Sequence, residues 1–565
     1  MEASGFGLDL IVVLAAALVG GMLAHRARLP VLLGYLVGGI IVGPYGFGLV
    51  KDVETVRVLA NIGVILLLFA LGLEFSFKEL IRMGRIAILG GIVQILLTAA
   101  VGLALGKLLG WAIFEAVFLG FLIALSSTMV VLKTLMERGE LDTGHGRIMI
   151  GFLLVQDMSV VPLMIILPAV GGGGGALWLT LGLAALKAVI FIGVMLALGI
   201  WVLPWLLSRV ARERSGELFL LTVVTLCLAA AFGTFFFGLS AAFGAFVAGL
   251  LISQSTFARQ ALANVVPLRD TFVAIFFISL GMLADPRFVA DNITVIVIVV
   301  AVIIAAKFII CFLIPWFSGY SFKTALFVGT GLIQIGEFSF VLAGLGLESG
   351  VISPYLYSLT LASAIITMLL TPFAFGLSSF IYRRLSQGER FCRLVAVRPD
   401  PSWEREQWQL SGHAVICGYG RIGSRLARVL ERRKFSYLAI DFDPQIISAL
   451  HTKGIPCIYG DASNPGILAH AQLKKARVLV CTFPDFIAVE LTTRNALKIN
   501  PRLDIVARVH RDADAEVLKN IGVSELVRPE FEASLEVTRH TLHRFGLTGA
   551  EIQHILSGLR EGELV

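Results

Sequence analysis

Charge is scarce in this 565-residue chain. Asp, Glu, Lys and Arg make up 15% of it, against 57% hydrophobic residues, and the mean hydropathy is +0.88. A water-soluble protein cannot bury that much apolar surface in one core, so a bilayer must act as its solvent. Cysteine is scarce too. The six residues Cys227, Cys311, Cys392, Cys417, Cys457 and Cys481 show no metal-ligand spacing, which argues against a zinc module and fits a reduced cytoplasm. No basic stretch leads into an apolar segment with a cleavage site, so no removable leader is expected. The formal net charge of +7 does not indicate a nucleic-acid partner, because many basic residues fall in short loops between apolar runs. There they set membrane orientation.

The texture changes near Tyr382, from apolar runs to ordinary soluble sequence. We therefore expect a transmembrane domain over 1–384, a polar linker over 385–410 and a soluble domain over 411–565. Thirteen spans are predicted, at 8–25, 30–49, 57–75, 85–110, 112–134, 148–170, 177–208, 216–234, 239–254, 268–284, 292–317, 322–347 and 355–381. Each is near the length that crosses about 30 Å of hydrocarbon. Basic residues follow the odd-numbered spans: Arg26 and Arg28, Lys78 and Arg82, Arg138 and Arg147, Arg209 and Arg212, Arg259, Lys323, and Arg383 with Arg384. The loops after even-numbered spans are poorer in Lys and Arg. This asymmetry predicts an N-terminus outside and a cytoplasmic C-terminal domain.

Polar residues inside the spans carry the functional information, since an intramembrane charge costs several kcal/mol and is rarely kept without use. Asp157, in span 6, is a carboxylate suited to hold either a proton or an alkali cation. Ser126-Ser127-Thr128 interrupts span 5: the hydroxyls either bond back to helix carbonyls or mark an unwound stretch that helps coordinate a cation. Gly329 to Glu337 interrupts span 12 in the same way. Spans 5 and 12 are seven apart, as two inverted repeats would require, and paired interruptions mark a transporter midplane site. Lys307, deep in span 11, either caps carbonyls of a broken helix or serves as a partner for Asp157 or a stand-in for the ion. Glu337 is open between an ion-site role and a local pair at the edge of its span.

In the soluble part, a predicted strand over 411–417 leads into Gly418-Tyr419-Gly420-Arg421-Ile422-Gly423, then a helix, then a strand ending at Asp441 and Phe442. The acid falls 23 residues after the first glycine. Glycines at this spacing let a helix N-terminus approach a pyrophosphate, and an acid at the end of the second strand bonds ribose hydroxyls and repels a 2′-phosphate. The expected ligand is therefore NAD(H) or an adenine nucleotide such as AMP, ADP or ATP. Further strands are expected near 456–459, 478–481, 505–509 and 525–527, the spacing of a doubly wound sheet. Arg508 and Arg511 lie either in the same cleft or on solvated surface.

Leu33 to Pro44, Asn61 to Glu74, Ser126-Ser127-Thr128, Gln156-Asp157, Phe276 to Met282 and Gly336-Glu337-Phe338 together resemble the Kef-type antiporters of the second cation–proton antiporter family, over essentially the whole chain. The resemblance implies a polytopic α-helical antiporter fold of about thirteen helices in inverted repeats, followed by an α/β Rossmann-like domain of the kind that regulates potassium conductance. It implies that Asp157 carries proton and cation, K+ or Na+, and that Gln156 stands where electrogenic relatives have a second aspartate. One carboxylate then predicts one-for-one, electroneutral exchange. In the regulatory domain it implies that Asp461, Ala462 and Thr482 join the glycine turn and Asp441 around the nucleotide. It also implies a homodimer within membrane lipid, through both membrane and regulatory domains. One departure stands out. The cytoplasmic loop that carries a histidine and acids in glutathione-gated relatives reads Gln260-Ala261-Leu262-Ala263-Asn264 here, which predicts nucleotide regulation without glutathione. A cation channel with a gating domain is the rival reading. A membrane-anchored NAD-dependent oxidoreductase would need a substrate domain for which the soluble part has little room, so an enzyme is not expected.

Overall fold

The computed structural model describes residues 2–27, 29–50, 53–74, 85–141, 143–171, 177–213, 215–385, 410–510 and 512–561. Lys78, Arg82, Arg28, Cys392, Arg511 and nearly all of the expected 385–410 linker lie outside the described residues. The chain divides into two compact units. One comprises Met1–Thr134, Arg147–Ser318 and Ala325–Gly376; the other comprises Leu135–Gly146, Gly319–Thr324 and Leu377–Val565.

The first unit is helical. Among the described residues, nine helical segments are long and apolar enough to cross a membrane, from Gly7–Arg26 to Pro354–Leu385. Shorter apolar helices stand between them, including Val31–Val42, Val53–Glu74 and Ala241–Ser253. The second span, expected over 30–49, stops at Val42 because Gly43-Pro44 cannot continue the helix. The span expected from residue 268 begins earlier, as Ala258–Leu283. Gln260 to Asn264 is thus helical and not the expected loop; Ala and Leu are strong helix formers and override the polar flanks. Helices Val53–Glu74 and Ala241–Ser253 touch through glycines: a Cβ at Gly249 would lie 2.1 Å from the Phe69 carbonyl oxygen.

Spans 5 and 12 are both broken. Span 5 runs as Ile113–Ala124, opens, and resumes as Thr128–Arg138; span 12 runs as Phe322–Gly331 and resumes as Phe338–Glu348. The two openings cross. The Gly336 N–H donates to the Leu125 carbonyl (3.0 Å), the Ser126 hydroxyl to the Leu332 carbonyl (3.1 Å) and the Ser339 hydroxyl to the Leu122 carbonyl (2.6 Å). A helix end leaves carbonyls without intrahelical partners, and hydrocarbon offers none. Lys307, from helix Ile293–Phe317, supplies them. Its ammonium donates to the carbonyls of Ile123 (2.9 Å), Leu125 (2.9 Å) and Gln334 (2.8 Å), so its three protons meet three acceptors. The side chain is fully buried.

The second unit centres on a six-stranded parallel sheet: β1 Ala414–Cys417, β2 Tyr437–Asp441, β3 Cys457–Tyr459, β4 Val478–Cys481, β5 Asp504–Arg508 and β6 Glu525–Val527, in the order β3-β2-β1-β4-β5-β6. Every strand matches an expected one within a few residues. The strands are short and apolar because helices cover both faces of a parallel sheet. In this unit Lys323 forms a buried ion pair with Asp485, just beyond β4. Burial alone would raise the Asp485 carboxyl; the Lys323 ammonium, with the His145 ring and the Ala488 N–H, more than offsets this and holds it below the ordinary range.

Replacing Lys307 by Met should take a donor from three buried carbonyls, leaving Leu125 with only the Gly336 N–H, and cost about 2–4 kcal/mol of stability. Thermal unfolding of the purified protein in detergent checks this, with Lys307→Arg, which keeps donors, expected to fall between Met and the natural residue.

Candidate cation and nucleotide sites

Asp157 lies midway along helix Gly144–Gly171, 7% exposed. The hydroxyl of Thr128, the first residue of the second half of span 5, donates to its carboxylate (2.9 Å). A cavity of about 170 Å³ opens beside it, lined by Asp157, Thr128 and Glu74 and otherwise by apolar side chains such as Leu71, Leu153 and Phe246. A carboxylate and a hydroxyl at the edge of an apolar-walled cavity are hard oxygen donors, the chemistry that takes a proton or an alkali cation and no soft metal.

Gln156 is the preceding residue on the helix, and both ends of its amide are engaged elsewhere. Its Oε1 accepts from the Ser126 N–H (2.7 Å), and its Nε2 donates to Gln94 Oε1 (2.7 Å). Gln94 in turn donates to the Ala124 carbonyl (3.0 Å) and to the Thr98 hydroxyl (3.2 Å). The two glutamines thus stitch span 5's opening to spans 4 and 6. Gln94 was not among the expected site residues. A buried amide in an otherwise apolar span was the signal that could have found it.

Ser126 and Ser127 support the crossing. Ser126 donates to the Leu332 carbonyl, and the Ser127 hydroxyl accepts from the Val130 N–H (3.3 Å). Glu337 is 4% exposed, so it does not lie at the edge of its span. It faces the Ser127 hydroxyl and the N–H groups of Thr128 and Met129, where the positive end of a half-helix dipole favours an anion. Lys307 sits on carbonyls, and among the described residues no ion pair joins it to Asp157. Of its two alternatives, the geometry is that of the cap.

In the second unit, β1 ends at Cys417 and the chain turns through Gly418 at φ +92°, a conformation that favours glycine. Helix Arg421–Arg432 follows, with Ile422 partly exposed. A Cβ at Gly423 would lie 2.0 Å from the Gly418 carbonyl oxygen, whereas one at Gly420 would meet nothing within 4 Å. The turn is therefore closed from below and open above Gly420, as a phosphate cradle at a helix N-terminus must be. Asp441 ends β2 and accepts from the N–H groups of Tyr419 and Asp443. Burial raises its carboxyl above the ordinary range against the pull of those two bonds. The Thr482 hydroxyl, just past β4, donates to the Gly418 carbonyl (2.7 Å). Asp461 accepts from the Ser463 N–H (2.8 Å) in the loop after β3, beside the buried Ala462, and Phe442 is partly exposed. The structure thus joins the glycine turn, Asp441 and Thr482 directly. Arg508 ends β5 at the same edge of the sheet, two strands from β1.

Residues 13–377 match the transmembrane sodium/hydrogen exchanger family, and residues 414–529 match the TrkA-N domain. The chain is 34% identical over 527 residues to YbaL of Escherichia coli (strain K12), provisionally named a cation/proton antiporter, covering 92% of this chain and 94% of that one. It is 33% identical over 540 residues to the chloroplastic K(+) efflux antiporter 1 of Arabidopsis thaliana, covering 94% of this chain and 45% of that one. The Shewanella denitrificans Kef C-terminal domain, solved in its AMP-bound form, is 24% identical over 27% of this chain and 92% of its own, with a TM-score of 0.24. By the family match and by identity across nearly its whole length, this chain belongs to the sodium/hydrogen exchanger family, as a cation–proton antiporter with a C-terminal TrkA-N domain and not an enzyme.

Proposed function

We propose that this antiporter exchanges K+ for H+ one for one at Asp157. The observation that carries the reading is a buried carboxylate bonded to Thr128 at the crossing of two broken spans, with its neighbour Gln156 a neutral amide already committed to Ser126 and Gln94. A proton and an alkali cation compete for the same oxygens, and that competition is the coupling. With Gln156 uncharged, one proton leaves for each cation that enters, and no net charge moves. Ser126, Ser127 and Glu337 hold the crossing and Lys307 caps it. Na+ fits oxygen ligands as well as K+; the efflux relatives, named for potassium, favour K+.

The TrkA-N domain binds an adenine nucleotide, AMP or NAD(H), over the open face of Gly420. The phosphate meets the N-terminus of helix Arg421–Arg432, and Asp441 takes the ribose hydroxyls. Tyr419, Phe442, Asp461, Ala462, Thr482 and Arg508 complete the cleft. The antiporter works as a homodimer in the inner membrane, with this domain in the cytoplasm and the N-terminus outside. The basic loops after odd-numbered spans support that orientation.

In proteoliposomes, Asp157→Asn should abolish K+-driven proton movement while the variant elutes from size exclusion as the natural protein does. Retained flux would remove the proposed carrier. Asp441→Ala should weaken AMP or NADH binding to the full chain by about 10–100-fold, the loss of a charged hydrogen-bond acceptor; calorimetry on the detergent-solubilised protein reads it.

A further inference from the structure

The cavity that holds Asp157 has a second carboxylate. Glu74, the last described residue of helix Val53–Glu74, lines the same cavity, but its side chain is 48% exposed whereas Asp157 is 7% exposed. The cavity therefore runs from a half-exposed carboxylate to a buried one at the broken spans, between largely apolar walls. The two are near enough for their charges to interact.

Glu74 is not left alone at that mouth. Arg269, from helix Ala258–Leu283 and 17% exposed, places Nη1 on Glu74 Oε1 at 3.1 Å. The same guanidinium places Nη2 and Nε on Asp270 Oδ1 at 2.9 Å. One cation is thus shared between two carboxylates, only one of which lines the cavity. Asp270 can hold the guanidinium by itself when Glu74 turns to another cation.

From this geometry we propose that Glu74 is the entry site for the transported cation, and that Arg269 is its resident competitor. An alkali cation arriving at the cavity displaces Arg269 from Glu74, and Arg269 stays paired with Asp270. The cation exchanges part of its water for the Glu74 carboxylate, then passes along the apolar walls to Asp157 and Thr128. Arg269 returns to Glu74 behind it. Glu74 raises the local cation concentration, as a charge of opposite sign at the mouth of a low-dielectric cleft does. It takes no part in proton exchange, which stays at Asp157. This rests on the antiport reading of Asp157 and adds to it a residue that sets apparent affinity and not turnover.

The test measures K+-driven proton flux in inside-out membrane vesicles, which present the cytoplasmic face, across a range of KCl with a pH-sensitive dye. Glu74→Gln should raise the apparent KM for K+ roughly three- to tenfold with the maximum rate within about twofold of the natural protein. Glu74→Asp should stay close to the natural KM, and Arg269→Gln, which removes the competitor, should lower it. Raising ionic strength with choline chloride should narrow the gap between Glu74→Gln and the natural protein, because screening weakens a half-exposed charge. An unchanged KM in Glu74→Gln, or a fallen maximum rate at constant KM, would overturn the proposal and make Glu74 a structural prop. If Glu74→Gln is not recovered in the membrane, the direction of the KM change in Arg269→Gln decides: a lower KM supports the entry site and an unchanged or higher KM overturns it. The KM ratio is read on active protein, so its failure is distinct from the fate of Asp157→Asn, which tests the buried site.

Discussion

Three hydrogen bonds from the Lys307 ammonium hold this transporter's centre open. Two helices stop in mid-membrane, and each stop exposes carbonyls that neither water nor lipid will satisfy. One buried lysine takes the carbonyls of Ile123, Leu125 and Gln334 together, and so pins spans 5 and 12 at their crossing. Its positive charge also lies at the negative end of helix Ile113–Ala124.

The chemistry follows from what the openings present. The stop of one half-helix is a sink for a cation and the start of the next is a sink for an anion. Lys307 occupies the first, and Glu337 faces the second. Gln156 and Gln94 serve the Ser126 N–H and the Ala124 carbonyl with neutral amides. Asp157, bonded to Thr128 at the cavity edge, is left to exchange its partner. A site that must release its cargo needs such a carboxylate, positioned by a rigid frame and not consumed by it.

Much of this was legible in the sequence. Hydropathy located the spans, because a lipid-facing helix needs an apolar stretch of fixed length, and Gly-rich or polar interruptions located both broken helices. The strand–glycine–helix–strand–acid order located the nucleotide turn, since each residue there has a backbone reason to be what it is. Lys307 was readable only as a pair of alternatives: a buried lysine announces a partner without saying whether that partner is a carboxylate or a set of carbonyls. Gln94 was passed over because its meaning depends on Gln156, sixty-two positions away. Glu74 stood in the sequence only as the end of a family segment, and the cavity joins it to Asp157. Residues Gln260 to Asn264, read as a loop by analogy, are helical because Ala and Leu decide local structure there.

The central claim is that one carboxylate serves both ions, and the equilibrium point of exchange tests it most directly. Proteoliposomes are set with a fixed pH difference and a series of K+ ratios, and the ratio giving no net proton flux is found at several clamped membrane voltages. One-for-one exchange at Asp157 predicts a null point where the K+ ratio equals the H+ ratio, the same at every voltage. A null point that moves with voltage would show that net charge crosses in each cycle, and would contradict a single shared carboxylate.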